Sequence, residues 1–288
     1  MFPKEDYPWS PNLAFVLFSI DIFLMLFSCL VIPFYKIAIQ EHSFSDMNST
    51  WLISVIPAVV VSGAGSVVSQ VLDVERARVV LILSYIIWGI GVPISLCIIA
   101  FYYSKSAIYK LPPPELLISI FLPMGPLGNG SFAITNLGIS AEKLFNSNDR
   151  EFVPVPMMGE VAQAGGSLIG LVLWGFAVFW LSLATSCVVY GFFKYKVKFG
   201  IGWWSVTFPI GTLILSSNEF ARLFQNSGFR IFGAIMTVVL LIIWIFLFSR
   251  TIVGAYTTEM FYDPSLDSIA EVMDESSSEM GTLPHFTE

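Results

Sequence analysis

Glu219 and Arg222 are three residues apart, so on a helix they share one face and can neutralise each other. Asp21 stands inside an apolar run, where a charge costs roughly 2.5–3.5 kcal/mol at mid-membrane on insertion scales, so it should lie near an interface or meet a partner on another helix. Glu160 opens an apolar run, where a carboxylate suits a helix N-terminus. Beyond these, reactive groups are sparse. The sequence holds no H-E-x-x-H, G-x-S-x-G, Walker loop or Rossmann fingerprint after a strand. No paired acids and no Ser/His couple fall at membrane depth. The two histidines are far apart, and Cys29, Cys97 and Cys187 all lie in apolar runs without ligand spacing. Neither an enzyme nor a metal or cofactor site is expected. Gly125-Pro-Leu-Gly-Asn-Gly130 is glycine-rich but lies inside a hydrophobic run, which points to helix packing or pore lining rather than a phosphate cradle.

The scarcity of charge is general. Of 288 residues, 56% are hydrophobic and 12% charged, the latter about half the roughly 25% of a soluble domain. That much apolar surface exceeds what one soluble core of this length can hide, and it excludes disordered, collagenous and disulfide-stapled classes. The net charge of −7 belongs to one end: eight acids and no Lys or Arg lie from Thr251 to Glu288, leaving 13 acids against 14 bases elsewhere. No nucleic-acid partner is expected. The partner of the main body is the lipid bilayer.

Seven apolar runs are each long enough to cross a bilayer, at roughly 20 residues per crossing. They are Leu13–Lys36, Trp51–Leu72, Val79–Tyr103, Glu115–Gly138, Val161–Phe193, Ile201–Phe224 and Phe229–Tyr256. Helices are expected throughout, because backbone groups in lipid must pair within their own segment and the runs lack the alternation of barrel strands. The fold class is therefore all-α and polytopic, with a membrane domain over 1–257 and a disordered acidic tail over 258–288. Met1–Asn12 lacks the basic start of a cleavable signal, so the first run reads as a transmembrane helix. Lys and Arg divide seven against seven between the two sides; the compact Lys194-Tyr-Lys-Val-Lys198 cluster tips the C-terminus toward the cytosol. The sequon Asn48-Ser-Thr50 then faces the cytosol and should carry no glycan.

A weak repeat organises the even-numbered runs. Trp51-Leu-Ile-Ser-Val-Ile-Pro57 and Trp203-Trp-Ser-Val-Thr-Phe-Pro209 both set a Trp six residues before a Pro, and the fourth run is broken at Phe121-Leu-Pro-Met-Gly-Pro126. Pro93 in the third run departs from the alternation. A proline at membrane depth frees a carbonyl, which neighbours or a water-filled cavity must satisfy. Breaks at similar depth in alternate helices suggest that those helices face a common axis, although proline and glycine are also simply commoner in membrane helices. The second and fourth runs carry no Lys, Arg or His beyond their mouths, so a path between them would be apolar, lined by backbone and hydroxyl groups. Such a path cannot hold an anion tightly, but it can pass one down a gradient.

Phe121-Leu-Pro-Met-Gly-Pro-Leu-Gly-Asn-Gly-Ser-Phe132, Gly202-Trp-Trp-Ser-Val-Thr-Phe-Pro-Ile-Gly-Thr212, Asn218-Glu219 and Phe229-Arg-Ile-Phe-Gly233 together resemble the tellurite-resistance/dicarboxylate transporter family of voltage-dependent anion channels. Within that family they are most similar to the fungal sulfite efflux pumps. The resemblance spans about Leu13 to Tyr256. It implies ten helices in five hairpins around a quasi-fivefold pore, with protomers in trimers. The seven runs here would be the fourth to tenth helices, so that runs two, four and six line the pore. Phe208 would plug it. Pro57, Gly63, Pro123, Gly125, Pro126, Gly128, Asn129, Gly130, Pro209 and Gly211 would line or kink it, with Glu219 and Arg222 at a mouth. Asn129 stands where that motif usually has Gln. Three helices of the family fold, two of them pore liners, have no counterpart here. The chain thus reads as a truncated gene product, a shortened paralogue or a chain that cannot conduct alone.

The function so implied is passive export of a small anion, sulfite first, across the plasma membrane. A C4-dicarboxylate such as malate is the second substrate, disfavoured by the lack of an Arg in the pore runs to clamp another carboxylate. A seven-helix receptor is the alternative of another class; it matches the helix count but leaves the glycine-proline run unexplained.

Overall fold

Helices form where the apolar runs lie. The computed structural model describes residues 9–41, 43–145 and 157–256. Its α-helices are α1 (Ser10–Ala38), α2 (Ile56–Val68), α3 (Val74–Tyr109), α4 (Met124–Phe145), α5 (Met158–Lys194), α6 (Thr207–Leu223) and α7 (Ser227–Tyr256), and no strand occurs among the described residues. The protein is all-α and polytopic. The predicted tail over 258–288 lies outside the described residues.

Among the described residues, five stretches are long and apolar enough to cross a membrane: α1, α3, Pro114–Phe145, α5 and α7. At 36 and 37 residues, α3 and α5 each extend about 55 Å, well past the roughly 30 Å hydrocarbon layer. The sequence anticipates the excess length of α5 but starts the third crossing at Val79. The helix begins at Val74 because Asp73 caps it, its carboxylate accepting from the Arg76 N–H.

The even-numbered runs are not single α-helices. Each begins as a 3₁₀ turn, Ser49–Ser54, Pro114–Phe121 or Ile201–Val206, and converts to α at a proline-bearing junction. Pro57 is the second residue of α2, Pro126 the third of α4 and Pro209 the third of α6. A proline is tolerated there because first-turn N–H groups have no helical partner. The carbonyls before each junction are met by tighter bonds: Val55 N–H donates to Leu52 O, and Leu122 N–H to Ser119 O, each at 2.9 Å. Six residues at 2.0 Å rise and thirteen at 1.5 Å make the second rod about 32 Å long, enough to span. Pro33 and Pro93, by contrast, sit within uninterrupted α1 and α3.

The chain divides into two compact units, Met1–Trp244 and Ile245–Glu288, with the boundary inside α7. Of the second unit, residues 245–256 are described, the apolar end of α7. In the first unit α4 is central: its rod is 94% buried over its apolar window, against 11% for α1. Backbone contact makes that possible. A Cβ on Gly138 would stand 2.6 Å from Ala162 O, and one on Gly166 2.6 Å from Ile134 O, so α4 and α5 touch through small residues. Helices α2 and α6 also pack on α4. Phe18 and Met25 of α1, Ala58 and Val61 of α2, and Val80 and Ile87 of α3 form a shared apolar cluster. Indole donors tie the helices together: Trp88 Nε1–H to Gly130 O (2.9 Å), Trp180 Nε1–H to Ile120 O (2.8 Å) and Trp174 Nε1–H to Ser217 Oγ (2.8 Å). Ile120 lies in the 3₁₀ stretch before α4, so Trp180 satisfies a carbonyl beside the break.

Candidate functional site

The three rods with broken starts meet at one cavity. It has a volume of about 680 Å³ and is lined by Val60, Gly63, Ala64 and Val67 of α2, Asn129 and Phe132 of α4, Phe208, Gly211, Thr212, Ile214 and Leu215 of α6, and Thr237 and Leu240 of α7. None of these side chains is titratable. The polar groups present are an amide and two hydroxyls, and most are already engaged. Asn129 Nδ2–H donates to Val59 O at 2.8 Å, Thr212 Oγ1–H to Pro209 O at 2.9 Å and Thr237 Oγ1–H to Gly233 O at 2.8 Å. The cavity wall is therefore carbon surface with a few partly satisfied dipoles.

Glycines let the walls approach. Phe208 stands at the second position of α6, 38% exposed and leaning on α4: a Cβ on Gly125 would lie 2.8 Å from its Cε1. A Cβ on Gly128 would lie 2.8 Å from Thr212 Oγ1 and 2.9 Å from Leu213 N, so α4 and α6 pack backbone to backbone below that ring. A Cβ on Gly63 would lie 3.1 Å from Asn129 Nδ2. Gly211 faces open space.

Of the residues singled out in the sequence, Phe208, Gly63, Asn129 and Gly211 line the cavity. Pro123, Gly125, Pro126, Gly128 and Gly130 are buried in α4 and its junction, where they set helix approach, and Pro209 is buried in α6. A Cβ on Gly130 would meet Val92 Cγ2 at 2.8 Å, which assigns it to the α3 contact. Pro57 lines a separate 530 Å³ hollow between α1 and α2, together with Asp21, Met25, Ile53 and Ile56. Asp21 has no hydrogen-bond or ion-pair partner among the described residues, so the pairing anticipated for it is not found there. Glu219 and Arg222 do pair, Nη2 to Oε1 at 2.9 Å, the carboxylate side chain 7% exposed and the guanidinium 72%. Neither lines the cavity.

Sequence reasoning missed the α7 wall, Thr237 and Leu240, and the α4–α5 glycine seam. The run Gly166-x-x-x-Gly170 carries the small-residue spacing that signals such a seam. Among the described residues no group of three or more His, Cys, Asp or Glu could hold a metal ion.

A family model described as voltage-dependent anion channel matches residues 1–252. The chain is 31% identical over 254 residues to the sulfite efflux pump SSU1 of Arthroderma benhamiae, covering 88% of this chain and 66% of that protein. It is likewise 31% identical over 254 residues to the sulfite efflux pump SSU1 of Trichophyton rubrum, with the same coverage. A putative malic acid transport protein of Schizosaccharomyces pombe is 20% identical over 255 residues, or 86% of this chain and 58% of that protein. The chain thus spans just under two thirds of the length of the two pumps. No solved structure matches it.

Proposed function

The chain belongs to the voltage-dependent anion channel family, and on that footing we propose that it passes a small anion, sulfite first, down its gradient across the plasma membrane. The observation that carries this reading is the uncharged 680 Å³ cavity onto which α2, α4 and α6 all open, with the Phe208 ring at its edge. An anion held by a fixed guanidinium would leave slowly. One that meets only amide, hydroxyl and carbon surface binds weakly and moves on. Phe208 is the gate: its ring narrows the path, and the missing Cβ of Gly125 gives it a place to lie. The seven helices act as the fourth to tenth of a ten-helix barrel, trimers are the working assembly, the C-terminus is cytosolic, and Glu219 and Arg222 flank a mouth.

Sulfite ranks first because the relatives at 31% identity are named for it. Malate is the second reading, supported by the 20% identical relative named for malic acid transport. The test expresses this chain in sulfite-exporter-deficient cells and measures growth on sulfite alongside labelled malate flux. Restored sulfite tolerance with unchanged malate flux supports sulfite. Malate flux alone supports the second reading. Neither, with the chain present in the plasma membrane, removes the proposal that this form conducts.

A further inference from the structure

A cavity of about 620 Å³ lies away from the one described above and shares no residue with it. It opens between the C-terminal ends of α3 and α5, against the 3₁₀ stretch Pro114–Phe121. Its inner wall is carbon: Ile120, Trp180 and Leu183. Its outer rim is cationic, with Lys110 following the last residue of α3 and Lys194 the last residue of α5, both exposed. We propose that this cavity binds one anionic glycerophospholipid, an acyl chain against Trp180 and Leu183 and the headgroup phosphate between Lys110 and Lys194.

Three observations converge on that ligand. The first is charge. Helix C-termini carry partial negative charge, which repels a phosphate, and each of these two ends bears a lysine that reverses the sign. Lys110 Nζ–H donates to Ala107 O at 3.2 Å, which caps its own helix and leaves two of three donors for a ligand. Lys194 Nζ lies 5.8 Å from the Tyr190 ring centroid and 5.4 Å from that of Tyr195, held over aromatic faces. Neither ammonium has an ion-pair partner among the described residues.

The second is the wall. A water-soluble anion would find no use for an apolar recess beneath the lysines, whereas a lipid tail fills it and its headgroup stays at the rim. The third is position. Both lysines stand at the same-side ends of two helices long enough to cross a membrane, and basic pockets between transmembrane helices suit anionic headgroups. The cytosolic leaflet, richest in anionic lipid, is the side to which the nearby Lys196 and Lys198 assign these ends.

The full chain is reconstituted into nanodiscs of phosphatidylcholine with a minor fraction of phosphatidylserine, then extracted, and the retained lipid is counted by native mass spectrometry. Phosphatidylserine is expected to be enriched roughly tenfold or more over its bulk share, from two lysines each contributing near the surface. Lys110→Ala with Lys194→Ala should abolish the enrichment. Lys196→Ala with Lys198→Ala removes equal charge beside the cavity and should preserve it. Leu183→Trp fills the apolar wall and should lower retention of both lipids in protein that stays monodisperse and helical. The proposal is overturned by an unenriched wild type, by enrichment that survives the Lys110/Lys194 change, or by equal loss in the Lys196/Lys198 control. Displacement of the lipid by excess inorganic phosphate overturns it too, since the site would then read a free anion.

Discussion

The Phe208 ring rests on α4 where Gly125 has no side chain: a Cβ there would stand 2.8 Å from Cε1 and 3.2 Å from Cδ1. The ring occupies space that any other residue at 125 would fill. Gly125→Ala must therefore displace the ring or separate α4 from α6, an overpacking that costs about 1–3 kcal/mol. On the proposed gate role, Phe208→Ala should raise sulfite flux several-fold in reconstituted vesicles. The double variant should recover the stability that Gly125→Ala loses. Unchanged flux in Phe208→Ala at normal incorporation would count against the gate.

The broken starts of α2, α4 and α6 were legible in the sequence because proline acts locally. Pro57, Pro126 and Pro209 each lack an N–H, which marks the neighbourhood of a break in the sequence. Pro33 and Pro93 lie inside uninterrupted α1 and α3, so the ring alone does not make a junction; each of the three junctions also follows a 3₁₀ stretch. Phe208 is one of 26 phenylalanines, and only the motif around it singled it out. Thr237 and Leu240 were illegible because nothing local reveals which face of α7 meets α6.

The glycines of α5 should separate cleanly by position. Gly166 abuts Ile134 O, a backbone atom that cannot yield, while Gly165 has nothing within 4 Å. Gly166→Ala is expected to lower the unfolding midpoint in detergent by a few kcal/mol equivalent, or to abolish accumulation. Gly165→Ala should be neutral or stabilising by up to about 1 kcal/mol through helix propensity. Equal behaviour of the two would mean that α4 and α5 are not in backbone contact.

Asn129 spans α4 to α2 by its bond to Val59 O, which also accepts from Ser62 Oγ at 2.7 Å. The carbonyl keeps one donor when the amide is lost, so Asn129→Ala should cost only about 1 kcal/mol. Asn129→Gln adds a methylene on the side where α2 approaches so closely that a Cβ on Gly63 would stand 3.1 Å from the amide, and it is expected to cost more than the truncation unless α2 shifts. Urea titration of both variants in the same detergent ranks them; a better-tolerated Gln would show that α2 has room to move.

Trp180 donates to Ile120 O beside the α4 break. Trp180→Phe keeps most of the ring area and removes only the donor, leaving a carbonyl unpaired where water is scarce, at about 1–3 kcal/mol. Trp174→Phe removes a donor to a hydroxyl that already donates to Leu213 O at 2.6 Å, and should cost less. Thermal melts followed by circular dichroism compare the pair, and the reverse ranking would dissociate Trp180 from the break.

Glu219 and Arg222 are bonded to each other but unequally exposed, 7% against 72% by side chain. The two ways of breaking the pair are therefore inequivalent. Glu219→Gln leaves a solvated guanidinium that loses little, and the amide can still accept from it. Arg222→Gln leaves the buried carboxyl group without its partner, the costlier outcome for a buried group. Because the arginine is mostly exposed, the penalty falls below that of a fully buried pair, at about 1–3 kcal/mol. Unfolding midpoints at neutral pH should thus fall more for Arg222→Gln than for Glu219→Gln, and the double variant should resemble the milder of the two. If instead Glu219→Gln is the more damaging, the carboxylate is doing something the arginine does not report, and contact with the permeating anion's path becomes the better account of this pair.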